Sequence, residues 1–344
     1  LGLDSAKFEG GLTAAQAHMK KVGREFEKVG SQMQGLGQSL SLSLTAPLLA
    51  FGAAALKASS DFEGSMIKVG ISTKASAEQM QALELEARKI GKATTFSASE
   101  AADAMDMLAK TGMSTTQILG GAAKATVDLA AAAGSELEPA ASAISDAMNQ
   151  FKLKAEQLPA AVNQITGAVN ESKLDFEDFT LAIGQAGGVA AGLGVSFEHF
   201  NAVLAGTSSL FASGSDAGTS FKTFLTAMVP RSKQAGEMMA KYGLSFHDAN
   251  GGMKSMSDIA EMLRTKLGGL SDAAKTDVLT KIFGTDAMRT AIGLMDQGAA
   301  GIDKIKEAIA GTDAAAQAAK RMEGFAGQVE QLKGSLEELG IAIG

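Results

Sequence analysis

The stretch Thr94–Leu129, TTFSASEAADAMDMLAKTGMSTTQILGGAAKATVDL, contains two helix starts built to one design. Ser97 and Glu100 have the spacing of a capping box. In that device hydroxyl and carboxylate each satisfy an amide that the first helical turn leaves unpaired. Phe96 and Ala101 stand where a hydrophobic staple would close, and Met105 and Leu108 carry the apolar face onward. Gly112 supplies a stop. Ser114 and Gln117 then repeat the box, with Met113 and Ile118 as staple. The helix that follows presents Ile118, Ala122, Ala125 and Leu129 at helical spacing and ends near Gly134. Runs of period two are nearly absent, so the predicted class is all-α.

Working outward, the same punctuation predicts helices near 139–151, 156–170, 176–191, 197–212, 216–229, 232–242, 258–267, 272–283, 286–297 and 302–310. Composition agrees. Hydrophobic residues make up 46% and aromatics only 5%, with no Trp and a single Tyr, Tyr242. A core of Ala, Leu, Ile, Val and Met suits closely packed helices better than a β-sandwich. Residues 60–310 therefore read as a compact helical domain. A duplication is expected within it, residues 95–151 against 176–229, because Ala109–Ser114 overlies Ala191–Ser196 at an offset of 82.

Both ends read differently. In residues 1–40 Phe8, Leu12, Ala15, Met19, Val22, Phe26, Val29, Met33, Leu36 and Leu40 alternate four and three apart, the seam of a coiled coil. One flanking column carries Gly23, Gly30 and Gly37, each weakening the helix by about 1 kcal/mol relative to Ala. From residue 311 to 344, Met322, Phe325, Val329, Leu332, Leu336, Leu339 and Ile343 repeat the alternation. Such seams bury their side chains against partner helices, so self-association is expected through Phe8, Leu12, Val22, Phe26, Val29, Val329, Leu332, Leu336 and Leu339. With no Met at position 1 and a pattern still running at Gly344, the chain reads as a piece of a longer polypeptide.

Between the first seam and the domain lies an apolar segment, 41–59. Val29–Leu56 holds no charge, and Pro47, with Thr45 before it as a cap, marks a hairpin or kink. Phe179–Phe197 is likewise uncharged and rich in Gly and Ala. Burial in a tight bundle accounts for both runs; the rival account is membrane contact through Leu44, Leu48, Leu49, Phe51 and Val189.

Residues that carry chemistry are not arranged for it. His18, His199 and His247 share no metal-ligand spacing, and no G-x-S-x-G elbow occurs. The Gly-rich run Gly184–Gly194 matches neither a P-loop nor a dinucleotide fingerprint. Asp175, Glu177 and Asp178 sit at a helix start, where the helix dipole favours carboxylates. No catalytic, cofactor-binding or metal-binding residues are expected, and no cofactor. A net charge of −7 without a basic cluster argues against nucleic acid as the primary ligand.

The order of several short motifs resembles the phage tail tape measure family. They are Gly2-Leu3-Asp4 with Phe8; Leu44-Thr45-Ala46-Pro47-Leu48; Asp61-Phe62-Glu63 with Met66 and Val69; and Thr94-Thr95-Phe96-Ser97 with Glu100-Ala101-Ala102. Leu108-Ala109 with Gly112, Ser215-Asp216-Ala217-Gly218-Thr219, and Lys281-Ile282-Phe283-Gly284 with Ala287 complete the series. The resemblance implies the N-terminal region of a structural virion protein without catalytic residues. Such a protein would occupy the tail tube lumen, set tail length during assembly and leave ahead of the DNA, in some members helping the genome across the host envelope. Copies of itself, the tail tube protein, tail tip proteins and tail assembly chaperones are the implied partners, with the host membrane as a further contact. The implied locations are the virion tail, the host cytoplasm during assembly and the target-cell envelope during infection. A membrane-active pore former and a bacterial coiled-coil scaffold are the competing classes.

Overall fold

The computed structural model describes residues 39–322 and Ile341, with side chains from Ala55 to Arg321. Both seams, Phe8 to Val29 and Val329 to Leu339, lie outside the described residues. The described residues group into two compact units, one running up to Lys110 and the other Thr111–Arg321.

In the first unit α1 (Ser39–Thr73), α2 (Ala77–Ala93) and α3 (Ala98–Lys110) follow one another. The backbone stays helical through Thr45 and Pro47, so the expected break there is not a helix boundary. Proline removes one backbone donor, and within a helix this long that loss bends or weakens a turn without ending the element. α1 buries Ala55, Phe62, Met66 and Val69, and both α1 and α2 pack on α3. Ser97 and Glu100 cap α3 reciprocally, amide to side-chain oxygen, at 2.8 and 3.1 Å. Ser76 and Gln79 make the same box at the start of α2. Asp106, 3% exposed, is held by Lys110 at 2.6 Å and by the Ser72 hydroxyl at 2.5 Å.

The second unit opens with Ser114 and Gln117 boxing the turn Thr115–Gln117, which widens into a π turn at Ile118–Ala122 before α4 (Ala123–Ala133). Then come α5 (Leu137–Phe151), α6 (Leu158–Asn170), α7 (Phe176–Gly192), α8 (Phe197–Thr207) and α9 (Gly214–Thr226). α10 (Lys233–Tyr242), α11 (Met256–Leu267), α12 (Asp272–Ala310) and α13 (Ala314–Met322) complete it. Asp175, Ser196, Ser213, Ser232, Ser255 and Ser271 each accept the N3 amide of the helix they precede. Among the described residues there are no strands, and one isolated antiparallel bridge joins His247 to Met253. The class is all-α.

α12 is the spine of this unit, with α6, α8, α9, α10 and α11 packed along it. It buries Val278, Ile282, Phe283, Ala287, Thr290, Ala291, Leu294, Ile302 and Ile309. The three helices expected between 272 and 310 run together here, and the bends between them fall at Gly284 (φ 75°, ψ 179°) and Gly298 (φ 61°, ψ −171°). That backbone region is open essentially to glycine alone. At Gly284 no atom lies within 4 Å of an added Cβ, so only the backbone conformation demands glycine there. Gly284→Ala is therefore expected to destabilise the unit by about 1–3 kcal/mol in denaturant titration. A neutral result would mean that the bend carries no strain for an L-residue.

Candidate functional site

The motif Ser215–Thr219 lies at a junction of three helices. Ser213 caps α9, and the next turn of that helix presents glycine to α7. A Cβ at Gly218 would stand 2.7 Å from the Ala182 carbonyl oxygen and 2.9 Å from its Cα. Gly214 abuts the Asp178 backbone in the same way, and its amide donates to the Asp178 carboxylate at 2.6 Å. With no side chain between them, the two backbones touch.

Other faces of α9 hold α12. Asp216 accepts two hydrogen bonds from Arg289, both at 2.5 Å, in a forked pair that is about one-third exposed. The guanidinium also lies 5.0 Å from the centroid of the Phe211 ring. Arg289 holds the Asp216 carboxyl below the usual carboxylate range. One turn on, the buried Ser220 hydroxyl donates to the Asp286 carbonyl at 2.6 Å and meets the buried Thr290 hydroxyl at 2.8 Å. Beneath these polar ties run ring contacts, Phe151 with Phe197 and Phe200, Phe200 with Phe221, and Phe283 with Phe224 and Phe246, at 5.0–5.9 Å.

The chemistry this arrangement performs is cohesion. The charges neutralise each other and the hydroxyls are engaged with backbone and with one another. Among the described residues no cluster of His, Asp or Glu could hold a metal ion. An open cleft on α2, lined by Leu85, Arg88, Lys89, Lys92 and Ala93, is cationic, yet Arg88 and Lys89 pair with Glu84 and Glu86 of the same helix.

His199 is half-buried in the first turn of α8, where its Nδ1 lies 3.0 Å from the Ser196 hydroxyl. Burial lowers its pKa from the ordinary 6.5, and Lys306 lowers it further. Of the positions read as membrane contacts, Leu44, Leu48, Leu49 and Phe51 fall in α1, where side chains are not described. Val189 is half-buried on α7, next to the wholly buried Ala190. No helix among the described residues is long and apolar enough to cross a membrane.

Two outcomes test this geometry. Arg289→Met is expected to cost about 1–2 kcal/mol, between the values for exposed and buried ion pairs. A double-mutant cycle with Asp216→Asn should show that most of this loss is shared; additive losses would separate the two residues. For His199, the folded protein resists protonation more than the unfolded chain does. Its contribution to stability is complete above the unfolded pKa of 6.5 and is lost as pH falls through the lower folded value. His199→Gln should flatten the stability–pH curve below pH 6.5; an unchanged slope would contradict the assignment.

Sequence reading singled out the motif around Asp216 and Gly218 and the one ending at Gly284, but not Arg289, Ser220 or Thr290. Nothing local marks Arg289 among the cations, since its partner lies 73 residues away.

Comparison with known proteins bears on the whole chain. The family described as phage-related minor tail protein matches residues 84–284, which is 201 of 344 and includes α3 to α11 and the first segment of α12. A protein of Pneumococcus phage Dp-1 called "Tape measure protein" is 29% identical over 346 residues, 99% of this chain. The chain spans 30% of the length of that relative. No solved structure matches. The chain thus belongs to the phage-related minor tail protein family, the tape measure family of phage tails.

Proposed function

We propose that this chain is part of a tape measure protein: a structural protein, not an enzyme, that fills the lumen of the tail tube, sets tail length during assembly and leaves ahead of the DNA. The observation that carries this reading is the similarity over nearly the whole chain to the tape measure protein of phage Dp-1. The helical architecture supports it, because a helix advances a fixed ~1.5 Å per residue and so converts chain length into distance. The junction of α7, α9 and α12 supports a structural role as well, since its carboxylate, guanidinium and hydroxyls are spent on holding helices together. On this reading the tail tube protein, tail tip proteins and tail assembly chaperones are the partners. The protein is assembled in the host cytoplasm and carried in the virion tail.

The test is made on the parent gene in its phage. In-frame deletions in helical stretches of the parent protein should shorten tails, seen by electron microscopy, by about 1.5 Å for each residue removed. Tails of unchanged length would overturn the reading. Copies of the protein are proposed to join through the C-terminal seam at Val329, Leu332, Leu336 and Leu339. Leu332→Asp with Leu336→Asp should then lower the mass seen by light scattering in solution, and an intact oligomer would place the contact elsewhere.

A further inference from the structure

The contact of α5 with α7 includes a polar pair. Asp146 and Gln150 stand four residues apart on α5, so their side chains share one face. The Gln150 Nε2 donates to the Asp146 Oδ1 at 2.9 Å. The other end of the same amide is buried, and its Oε1 accepts no hydrogen bond. That oxygen lies against α7 at Gly187, in space that a Cβ would fill. A buried acceptor left unpaired costs free energy, and folded proteins keep few of them without a reason.

An ionised carboxylate has no hydrogen to give, whereas a carboxylic acid donates one and still accepts. We propose that Asp146 and Gln150 form a proton-operated joint between α5 and α7. On taking a proton from solvent at Oδ2, Asp146 donates to the Gln150 Oε1 while its Oδ1 keeps the bond from Nε2. The two hydrogen bonds close a ring of acid against amide, and the unpaired acceptor gains its donor. With Asp146 ionised the ring is open on that side, and the Gln150 oxygen stays unpaired against Gly187.

The surroundings favour the acid form. Burial lifts the Asp146 carboxyl above the ordinary 3.8, and the Gln150 N–H acts against that by holding the ionised form. The charges on the helices packed against α5 are engaged elsewhere or lie at helix starts. Lys124 of α4 is paired with Asp128, and α6 carries no charge. On α7, Asp178 takes the Gly214 amide beside Glu177 in the first turn. Glu138 of α5 itself is about two turns before Asp146. Because the folded chain holds the Asp146 proton more tightly than the unfolded one, the joint's contribution is complete below 3.8 and is lost as pH rises through the higher folded value. Asp216 runs the other way, since Arg289 holds its carboxyl low and its contribution is lost in acid. On acidification the joint of α5 and α7 therefore tightens before the pair of Asp216 and Arg289 is lost.

The test uses the full 344-residue chain. Asp146→Asn fixes a neutral donor in the ring. At neutral pH it should raise Tm by about 2–4 °C, the shift that one added hydrogen bond gives a unit of this size. Asp146→Val removes the charge without supplying a donor and should give no rise; Val and Asn have similar helix propensity, so the two compare directly. As pH falls toward 3.8, the Tm of the unaltered chain should approach that of Asp146→Asn. Equal rises in the two variants would reduce the pair to a buried charge and overturn the joint, as would no rise with Asn. A second measurement needs no variant. Carbon NMR of the folded chain should show the Gln150 amide carbonyl shifting together with the Asp146 carboxyl, at one midpoint above 3.8. A midpoint at or below 3.8, or a Gln150 carbonyl that does not follow, would overturn the proposal.

Discussion

The contact on which the second unit depends is the touching of two backbones where Gly218 meets Ala182. Dispersion between atoms at van der Waals distance is weak singly, but along two helices in close contact it adds up, and it fades within an ångström of separation. A methyl group on Gly218 would need the space the Ala182 carbonyl fills. The same closeness decides where the rest of α9 points. With its glycine face against α7, Asp216 and Ser220 are delivered to Arg289 and Thr290 on α12. Phe221 and Phe224 are delivered to the ring contacts below.

α12 answers to a different constraint. A straight helix of 39 residues would be about 58 Å long. By turning at Gly284 and Gly298 it instead meets α8, α9, α10 and α11 in turn, offering Phe283, Ala287, Ala291, Leu294 and Ile302 to them. The second bend is fastened from outside. Glu261 accepts the Ala299 amide at 3.1 Å while pairing with Arg264 at 2.9 Å, so an ion pair on α11 also caps the last segment of α12. Bends and fastenings together let short, weakly hydrophobic helices rich in Ala share one core around the buried rings of Phe200, Phe221, Phe224 and Phe246.

Such a fold has a functional consequence. At the junction of α7, α9 and α12 its polar side chains are occupied in joining helices, and its buried apolar ones fill the space between them. What remains for interaction among the described residues is surface: the apolar face of α1 at Leu56, Ile67 and Ile71, and Leu181 on α7 with Leu193 just past its end. That distribution suits a component of a phage tail, whose work is assembly with other tail proteins.

The sequence by itself determined the helical class and many of the helix starts, because a cap acts over three residues. Ser97 with Glu100 and Ser114 with Gln117 form in the structure as their spacing required, and Gly112, Gly134 and Gly243 sit where helices stop. The run from 272 to 310 read as three separate helices, and only the structure joins them into one that bends at Gly284 and Gly298. The tertiary structure alone decided what each glycine was for. Gly214 and Gly218 read no differently from Gly284 in one dimension, yet the first two make room for a neighbouring backbone and the third permits a bend. It decided as well that Asp216 would find Arg289 and Ser220 would find Thr290. Pairings across about seventy residues are set by which faces the core brings together, and that choice is a property of all the helices at once.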